Sequence, residues 1–428
     1  MTTAREAARA ILAEVARQPA LRVPLDAALG SVLAESVASP LDVPPWTNSS
    51  MDGFAARAAD VRGASAARPV RLRVVETIAA GRFPARAIGP GECARVFTGA
   101  PVPAGADTVV RQEDTAAPDE PGRGDPGDGE AVLVLDDRDA GANLRRAGED
   151  VRRGDLVLAA GTPLGAAHLG VLASLAVAHP LVYRRPRVGI LASGDELVDL
   201  DQPDAILAGR RVASSNTHTL RALVALAGGE PVDLGIARDT PASLRAHLER
   251  GRDCDLLVLN AGLSVGAHDH VRPTIAAMGG ELRFWRVRMR PGAPVGFGLL
   301  EGRPWIGLPG NPVSTMVTFE LFVRPAIRRM AGHALPFRRA VPVRTAEPIT
   351  LGPRLQHFLR VTLEAPARPG EPPTARLTGA QGSGILTSMA RADALLVVPE
   401  GQHETPAGAV LPAIVLDDPR HQAEPPFD

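Results

Sequence analysis

The chain has 428 residues, of which 45% are hydrophobic and 22% charged, and its formal net charge is −1. The near-neutral charge excludes a bulk electrostatic attraction to nucleic acid or anionic lipid, and no apolar run approaches the roughly 20 residues that cross a bilayer. We therefore expect neither nucleic acid nor a membrane as a partner. A domain usually holds roughly 100–200 residues, so this length predicts about two to four domains.

The basic residues and the cysteines restrict the chemistry further. All 47 basic residues are arginine, because the sequence contains no lysine. Cys93 and Cys254 are the only cysteines and lack metal-ligand spacing, which predicts buried thiols. The amphipathic N-terminal stretch has no apolar block of the kind that a signal peptide carries. These features predict a reducing, cytoplasmic location.

The N-terminal part of the chain mixes helical and extended patterns. An amphipathic helix opens the chain, and a second helical period ends at Pro40. Pro44 and Pro45 hold the next segment extended, and Met51-Asp52-Gly53-Phe54 predicts a tight turn. Short alternating runs over residues 70–135, separated by Gly and Pro, predict a small all-β unit. The stretch that follows returns to the N-terminal unit and contains one helix, HLGVLASLAVA.

From Arg187 onward, strands alternate with helices, which predicts a doubly wound, mostly parallel sheet. The predicted strands are PRVGILASG, EPVDLGIA, DCDLLVLNAG, ELRFWRVRM and WIGLPG. The predicted helices are NTHTLRALVALAGG with Asn216 as N-cap, TPASLRAHLERG with Thr240 as N-cap, RPTIAAMGG and the long PVSTMVTFELFVRPAIRRMAG. After Gly332, short β runs predict a small β-barrel or sandwich, of which we favour the barrel.

The predicted fold class is therefore α/β plus β, in several domains. The predicted domains are 1–45 with 139–182 (helical and linker), 46–138 (inserted β), 183–332 (central α/β) and 333–428 (C-terminal β-barrel).

Ligands of open α/β sheets bind beyond the carboxyl ends of the strands. Three loops rich in small residues are predicted there: ASGDEL, NAGLSVGAHDH and GLPGNPVS. Glycine lets backbone N–H groups approach anionic oxygens, and a helix N-terminus adds partial positive charge. The alternative is that these residues only turn the chain. The candidate binding residues in these loops are Ser193, Gly262, Ser264, Gly266, Gly310, Asn311 and Pro312.

Charged residues accompany these loops. Glu196, Asp239 and Asp269 follow the first three strands, and carboxylates beside an anion site are explained by a hard divalent cation, Mg²⁺ being the usual one. For Asp239 the alternative is ordinary chemistry at the start of a helix. Arg286, Arg288 and Arg290 alternate along one predicted strand, so they meet solvent or hold an anion. Arg145 and Arg146 are candidate contacts from another domain, or a solvated face.

Taken together, these segments resemble the molybdopterin molybdenumtransferase family, which includes the bacterial MoeA type and the E domain of gephyrin. The matching motifs run in family order over almost the whole chain. They are PPWTNSSMDGFAARAAD, FTGAPVPAGADTVVRQED, NLRRAGEDVRRGD, PRVGILASGDELVD, SSN, NAGLSVGAHDHV, MRPGAPVGFG, GLPGNPVSTMVTFE and QGSGILTSMARADALLVVPEG.

The resemblance implies an elongated homodimer that inserts molybdate into the dithiolene of molybdopterin, using the adenylylated pterin and Mg²⁺ and releasing AMP. It makes the molybdopterin adenylyltransferase and molybdoenzyme chaperones candidate partners. It implies a cleft between the Asp52 region of one subunit and the central domain of the other. The functional residues carried over by motif are Asp52, Thr98, Arg145, Asp150, Glu196, Asp239, Asp269, Arg286, Arg290, Pro309, Pro312 and Ser383.

Within that set, Asp52, Glu196, Asp239 and Asp269 are the expected catalytic residues, and the last three are the expected metal ligands. Arg286 and Arg290 stand where the family commonly has lysine, which keeps a cation against molybdate or phosphate oxygens.

Three alanines depart from the family pattern. Ala261 replaces a glycine, Ala267 an acidic residue and Ala293 a lysine. They leave three hypotheses open. The first is the molybdenumtransferase itself, and the second is a non-catalytic relative that binds pterin as a carrier or scaffold. The third is the neighbouring adenylyltransferase step, whose enzyme uses a related central domain, but this hypothesis does not explain the other domains.

Overall fold

The computed structural model describes residues 2–118, 126–260, 270–352, 355–366, 368 and 370–416. The chain forms two compact units. The larger unit contains residues 1–34, 161–165 and 180–428, and the smaller one contains residues 35–160 and 166–179. The four predicted domain ranges stay predictions.

A six-stranded sheet forms the centre of the larger unit. In spatial order its strands are Glu230–Ala237, Arg187–Ser193, Leu256–Asn260, Arg303–Leu308, Gly296–Leu300 and Glu281–Phe284. The first four strands pair in parallel and the last two are antiparallel. This confirms the mostly parallel sheet. The strand Gly296–Leu300 was not predicted.

Both faces of this sheet are covered, which is why its central strands are apolar along their whole length. Along Leu256–Asn260 every residue is buried. Leu256 and Val258 pack into one core with the N-terminal helix, whereas Leu257 and Leu259 pack into the other core with Trp305. This alternation follows from the twofold side-chain period of a strand.

The helices of the sheet domain are Ser215–Leu226, Pro241–Arg250 and Val271–Ala277, and the closing helix, which runs without a break through Pro312–Thr318, the π-helical Phe319–Val323 and Arg324–Met330. Thr240 is confirmed as an N-cap, because its hydroxyl accepts a hydrogen bond from the Ser243 backbone N–H at 3.3 Å. The prediction for Asn216 is wrong: Ser214 is the N-cap, and Asn216 lies inside the first turn.

The N-terminal helix Ala4–Glu14 begins with a capping box between Thr3 and Glu6. The second helical period predicted before Pro40 is wrong. Ala20–Arg22 pairs as a strand with Leu181–Tyr183, and only Leu25–Ala28 forms a 3₁₀ turn. Pro24 disfavours helical backbone at the residue before it and donates no hydrogen bond.

The run ELRFWRVRM is not one strand, as predicted, but two. The first strand ends at Phe284, and Met289–Arg290 pairs with the barrel strand Gln356–Glu364. Val287 and Met289 are nevertheless buried, and Arg286, Arg288 and Arg290 are more accessible, so the arginines still alternate with buried residues.

The C-terminal barrel is confirmed as a closed ring of five strands. In spatial order they are Gln356–Glu364, Thr374–Leu377, Ala340–Thr345, Val410–Val415 and Ala394–Val398, which pairs back to the first. Val343, Leu359, Val361 and Leu396 fill its core. The remaining short elements of the larger unit are Leu197–Val198, Pro203–Leu207, Val212–Ala213, Ile349–Thr350, Leu386–Ala390 and Glu404–Thr405.

The smaller unit contains the predicted all-β insert. Its sheet has the strand order Thr108–Arg111, Gly53–Ala56, Glu92–Val96, Ser65–Ile78, Ala131–Asp136 and Thr115–Ala116. Gly53 and Phe54 therefore begin a strand rather than complete a turn. A Cβ on Gly53 would lie 2.0 Å from the Val110 carbonyl oxygen, so the strand requires glycine at this position.

Further elements of the smaller unit are the pairs Val37–Ala38 with Leu156–Leu158 and Asn48–Ser49 with Leu144–Arg145, the helices Ala58–Val61 and Ala166–Ser174, and the 3₁₀ turn Gln112–Asp114. Cys93 and Cys254 are buried free thiols, as predicted. None of the described helices has the length and apolarity needed to span a membrane.

Candidate functional site

Two carboxylates meet where the first two parallel strands end. The Asp195 backbone N–H donates to Asp239 Oδ2 at 3.3 Å, and the Asp239 N–H donates to Asp195 Oδ1 at 3.4 Å. Ser193 is the last residue of its strand, directly before this loop. Asp239 was predicted, whereas Asp195 was missed; its place in the same ASGDEL loop was the available signal.

Glu196 lies in the same loop and is exposed. A Cβ at Gly194 would come within 2.7 Å of Glu196 Oε1, so the Glu196 carboxylate folds back over Gly194. The Asp195 carbonyl accepts hydrogen bonds from Arg238 at 3.2 Å and from Arg211. The loop therefore presents acidic oxygens while arginines hold its backbone.

An amide network fixes the loop before the closing helix. Asn216 Nδ2 donates to Asn260 Oδ1 at 2.9 Å and to the Gly310 carbonyl at 2.8 Å. Asn260 Nδ2 donates to the Pro309 carbonyl at 2.8 Å and to Thr315 Oγ1 at 3.0 Å. Asn260 is buried, so its amide must be hydrogen-bonded within the protein. Asn216, Asn260 and Thr315 were not among the predicted site residues.

The barrel brings Ser383 to the start of the closing helix. Asn311 Nδ2 donates to Ser383 Oγ at 3.1 Å, and the Val313 N–H donates to the Ser383 carbonyl at 3.0 Å. Pro312 is the first residue of the closing helix, between these two contacts. The structure thus brings five of the predicted site residues together: Pro309, Gly310, Asn311, Pro312 and Ser383.

Arg360 holds the loop that carries Ser383, and sequence reasoning missed it. Its side chain is fully buried, and it donates from Nε to Ser388 Oγ at 3.1 Å and from Nη2 to the Gly382 carbonyl at 3.0 Å. Burial lowers its pKa. An arginine inside the apolar run HFLRVTL was the signal, because a buried cation is costly unless its donors are used.

The arginines after the central sheet differ in their surroundings. Arg288 Nε lies 3.4 Å from Glu400 Oε1. Neither Arg286 nor the exposed Arg290 forms an ion pair with any residue that the structure describes. Gly292 has φ +95° and a Cβ there would lie 2.4 Å from Thr318, so the turn after Arg290 requires glycine. Ala293 leaves no cation in this turn, and its carbonyl accepts from Val287 and Val295.

The smaller unit joins two predicted residues. Thr98 donates its backbone N–H at 2.7 Å and its hydroxyl at 2.8 Å to the same oxygen, Oδ1 of Asp52. These two bonds, with Arg95 as a weaker cause, lower the pKa of the Asp52 carboxyl. Arg145 is an exposed residue paired with Asn48 in a short ladder.

Asp150, the fourth predicted residue of the smaller unit, is exposed, and its backbone N–H donates to the Val43 carbonyl. The predictions that lie outside the described residues are Ala261, Gly262, Ser264, Gly266, Ala267 and Asp269.

The side chains at the carboxyl ends of the parallel strands, here called the ligand edge, have the oxygen atoms that a hard cation prefers. The described residues supply too few of them in a suitable arrangement. Asp195, Glu196 and Asp239 offer carboxylate oxygens, which Mg²⁺ prefers. Within the described ranges, no group of three or more His, Cys, Asp or Glu side chains is arranged to hold a metal ion. The third predicted ligand, Asp269, lies outside these ranges.

The fold and this edge define a class of protein: a multi-domain α/β and β protein with carboxylate and amide side chains at the strand ends of its central sheet. Three family models match the chain. They are the MoeA N-terminal region (domain I and II) at residues 2–176, a probable molybdopterin binding domain at 189–329 and the MoeA C-terminal region (domain IV) at 342–416.

Named relatives support the same family assignment. A molybdopterin molybdenumtransferase of Nostoc sp. is 37% identical over 385 residues, which is 89% of this chain and 85% of the relative. Molybdopterin molybdenumtransferase 2 of Mycobacterium tuberculosis is 36% identical over 91% of this chain and 94% of its own. The crystal structure of a molybdopterin biosynthesis MoeA protein from Pyrococcus horikosii, 28% identical, covers 98% of this chain and 100% of its own with a TM-score of 0.79.

The chain belongs to the molybdopterin molybdenumtransferase family, the transferases of molybdenum cofactor biosynthesis.

Proposed function

We propose that the protein inserts molybdate into the dithiolene of molybdopterin, with adenylylated molybdopterin as the co-substrate, Mg²⁺ as the cofactor and AMP as the released product. The observation that carries this proposal is the meeting of three features at the ends of adjacent strands. The Asp195–Asp239 pair follows two of these strands, Glu196 lies in the loop of Asp195, and Asn260 is the last residue of the third strand.

In this proposal the carboxylates bind the metal ion and orient water. Glu196, Asp239 and Asp269 would hold Mg²⁺ and would orient the water that hydrolyses the adenylylated pterin. When bound, Mg²⁺ neutralises phosphate charge and lowers the pKa of its bound water. Reciprocal backbone bonds with Asp195 keep the Asp239 carboxylate turned toward the first loop before any ligand arrives. Such preorganisation removes reorganisation cost during the reaction.

The binding residues interact with the negatively charged oxygens of molybdate and of the pterin phosphate. Arg286 and Arg290 have no ion-pair partner within the described part of the chain, so their guanidinium groups are free to fork onto molybdate or phosphate oxygens. The small-residue loops approach the pterin phosphate through backbone N–H groups. The proposed binding residues of the larger unit are Ser193, Gly262, Ser264, Gly266, Arg286, Arg290, Pro309, Gly310, Asn311, Pro312 and Ser383.

For the smaller unit we propose that Asp52, supported by Thr98, and the exposed Arg145 and Asp150 also contact substrate. We further propose that the protein works as a homodimer in the cytoplasm, where its buried free thiols stay reduced. Static light scattering of the purified full chain tests the dimer: a mass of one chain would contradict it. The adenylyltransferase that makes the substrate and molybdoenzyme chaperones are the proposed partner proteins.

The alternative is a non-catalytic relative that carries pterin. Ala293 favours it, because the turn after Arg290 lacks the cation that the family has there. Incubation with adenylylated molybdopterin, molybdate and Mg²⁺, with AMP followed by chromatography, separates the two functions. The enzyme releases AMP in proportion to bound pterin, whereas the carrier binds pterin and releases none.

A further inference from the structure

An arginine cluster lies at the far end of the closing helix, away from the ligand edge. Arg324 and Arg328 are one turn apart on Arg324–Met330, and Arg338 reaches the same helix from the segment before the barrel. Pro312 begins the closing helix twelve residues before Arg324, which corresponds to about 18 Å along its axis. The cluster is therefore separate from the proposed catalytic edge.

The cluster has more positive than negative charge. Arg338 Nε lies 2.6 Å from Glu320 Oε2, and Arg324 Nε lies 3.8 Å from the same oxygen. Arg328 instead donates from Nη2 to His333 Nδ1 at 3.1 Å. Burial, with Arg328 and Arg324 as further causes, lowers the pKa of His333 to about 4, so this imidazole is neutral at pH 7. Three guanidinium groups thus share one carboxylate among the described residues.

This excess charge is half-buried rather than fully solvated. The side chains of Arg324 and Arg338 are only 14% and 24% exposed, and that of Glu320 is 4% exposed. Arg328 Nε is buried and has no hydrogen-bond partner among the described residues. Burial and then the neighbouring Arg338 lower the pKa of Arg324 to about 10. Partly buried cations are costly unless an anion and its acceptor oxygens satisfy them.

We propose that Arg324, Arg328 and Arg338 form a binding site for a small tetrahedral dianion of the phosphate, sulfate or molybdate type. The charge excess of two matches a dianion, and Arg328, which has no carboxylate partner among the described residues, supplies a further guanidinium group for its oxygens. Arg324 and Arg338 both form ion pairs with Glu320, and both side chains remain partly exposed to solvent. A small ion can therefore reach their guanidinium groups.

Isothermal titration of the full chain with inorganic phosphate at pH 7 and constant ionic strength tests the site. We expect one saturable site per chain. Arg328→Gln should weaken phosphate binding by about tenfold or more, because a hydrogen bond to a charged group is lost. Arg329→Gln is the matched control: this arginine lies on the same helix outside the cluster, and its loss should leave the affinity unchanged.

A second variant separates binding from folding. Glu320→Gln removes the cluster's only described carboxylate, so phosphate should bind more tightly, by severalfold. A loss of fold would instead weaken binding in both variants. Weaker binding in a Glu320→Gln protein whose thermal unfolding matches that of the wild type, or no saturable phosphate binding to the wild type, would overturn the proposal. Light scattering gives a further contradicting result. If the wild type binds no phosphate but self-associates, and Arg328→Gln is monomeric, the arginine cluster contacts a second copy of the chain and is not an anion site.

Discussion

Thr98 gives both of its donors to one oxygen of Asp52, the backbone N–H at 2.7 Å and the hydroxyl at 2.8 Å. Hydrogen bonds to the ionised form stabilise it, so the pKa of this carboxyl is lowered below its ordinary value of 3.8. The bonds keep Asp52 charged and fixed in direction, which suits the substrate contact that we propose for it.

Thr98→Val should raise the pKa of Asp52, because one of the two donors is lost while the backbone N–H remains. Carbon-13 NMR titration of the aspartate carboxyl groups in the full chain measures this change. The contribution of these bonds to stability is present above pH 3.8 and is lost as the pH falls through the lowered pKa of folded Asp52. Thr77→Val, which removes a hydroxyl bonded to Asp128, is the control and should leave Asp52 unchanged.

Asn260→Ala should destabilise the larger unit by about 1–3 kcal/mol, because the carbonyl of Pro309 and the side chain of Thr315 lose a buried donor. Thermal unfolding measures the loss. Asn311→Ala is the comparison: its amide is exposed and makes one bond, to Ser383, so it should cost much less. Equal losses in the two variants would show that the buried network does not hold the loop.

Arg360→Met should lower AMP release by about tenfold or more, because Gly382 and Ser388 lose charged donors and the loop that carries Ser383 is no longer fixed. Methionine fills much of the same volume without a buried charge, so the barrel should still fold. Arg376→Met, which removes a half-exposed arginine of the same barrel, should leave release unchanged. A fully active Arg360→Met protein would exclude the positioning role.

His333 should make stability depend on pH. Its pKa is lowered from 6.5 to about 4 in the folded protein, so the unfolded chain binds more protons between these values. The stability that the neutral ring contributes is present above pH 6.5 and is lost as the pH falls toward 4. Thermal unfolding from pH 7.5 to 4 should show a shallower decline for His333→Gln than for the wild type. Parallel curves would contradict the assignment.

The sequence predicted the architecture where local patterns and burial agree. The apolar run ending at Asn260 is buried on both faces, and the Thr240 cap was recognisable because its side chain and Pro241 both favour a helix start. The helix predicted before Pro40 failed because Pro24 and strand pairing with Leu181–Tyr183 outweigh a weak period.

The site was only partly predictable for a related reason. Loops at strand ends could be located, so the sequence placed Glu196 and Asp239 in such loops, where the structure also has them. Asn260 and Arg360 were not found, because their roles depend on carbonyl groups brought close by the fold, Pro309 and Gly382. Residues of this kind have no motif of their own; an amide or cation inside an apolar strand is the sign to search for.

AMP release from adenylylated molybdopterin in the presence of molybdate and Mg²⁺ tests the central claim most directly. We predict release that requires both additions and falls by about a hundredfold or more in Glu196→Gln, which keeps the side-chain shape but removes the charge. If the wild type binds pterin but releases AMP only at the background rate, the result would contradict a catalytic function and would favour the pterin carrier.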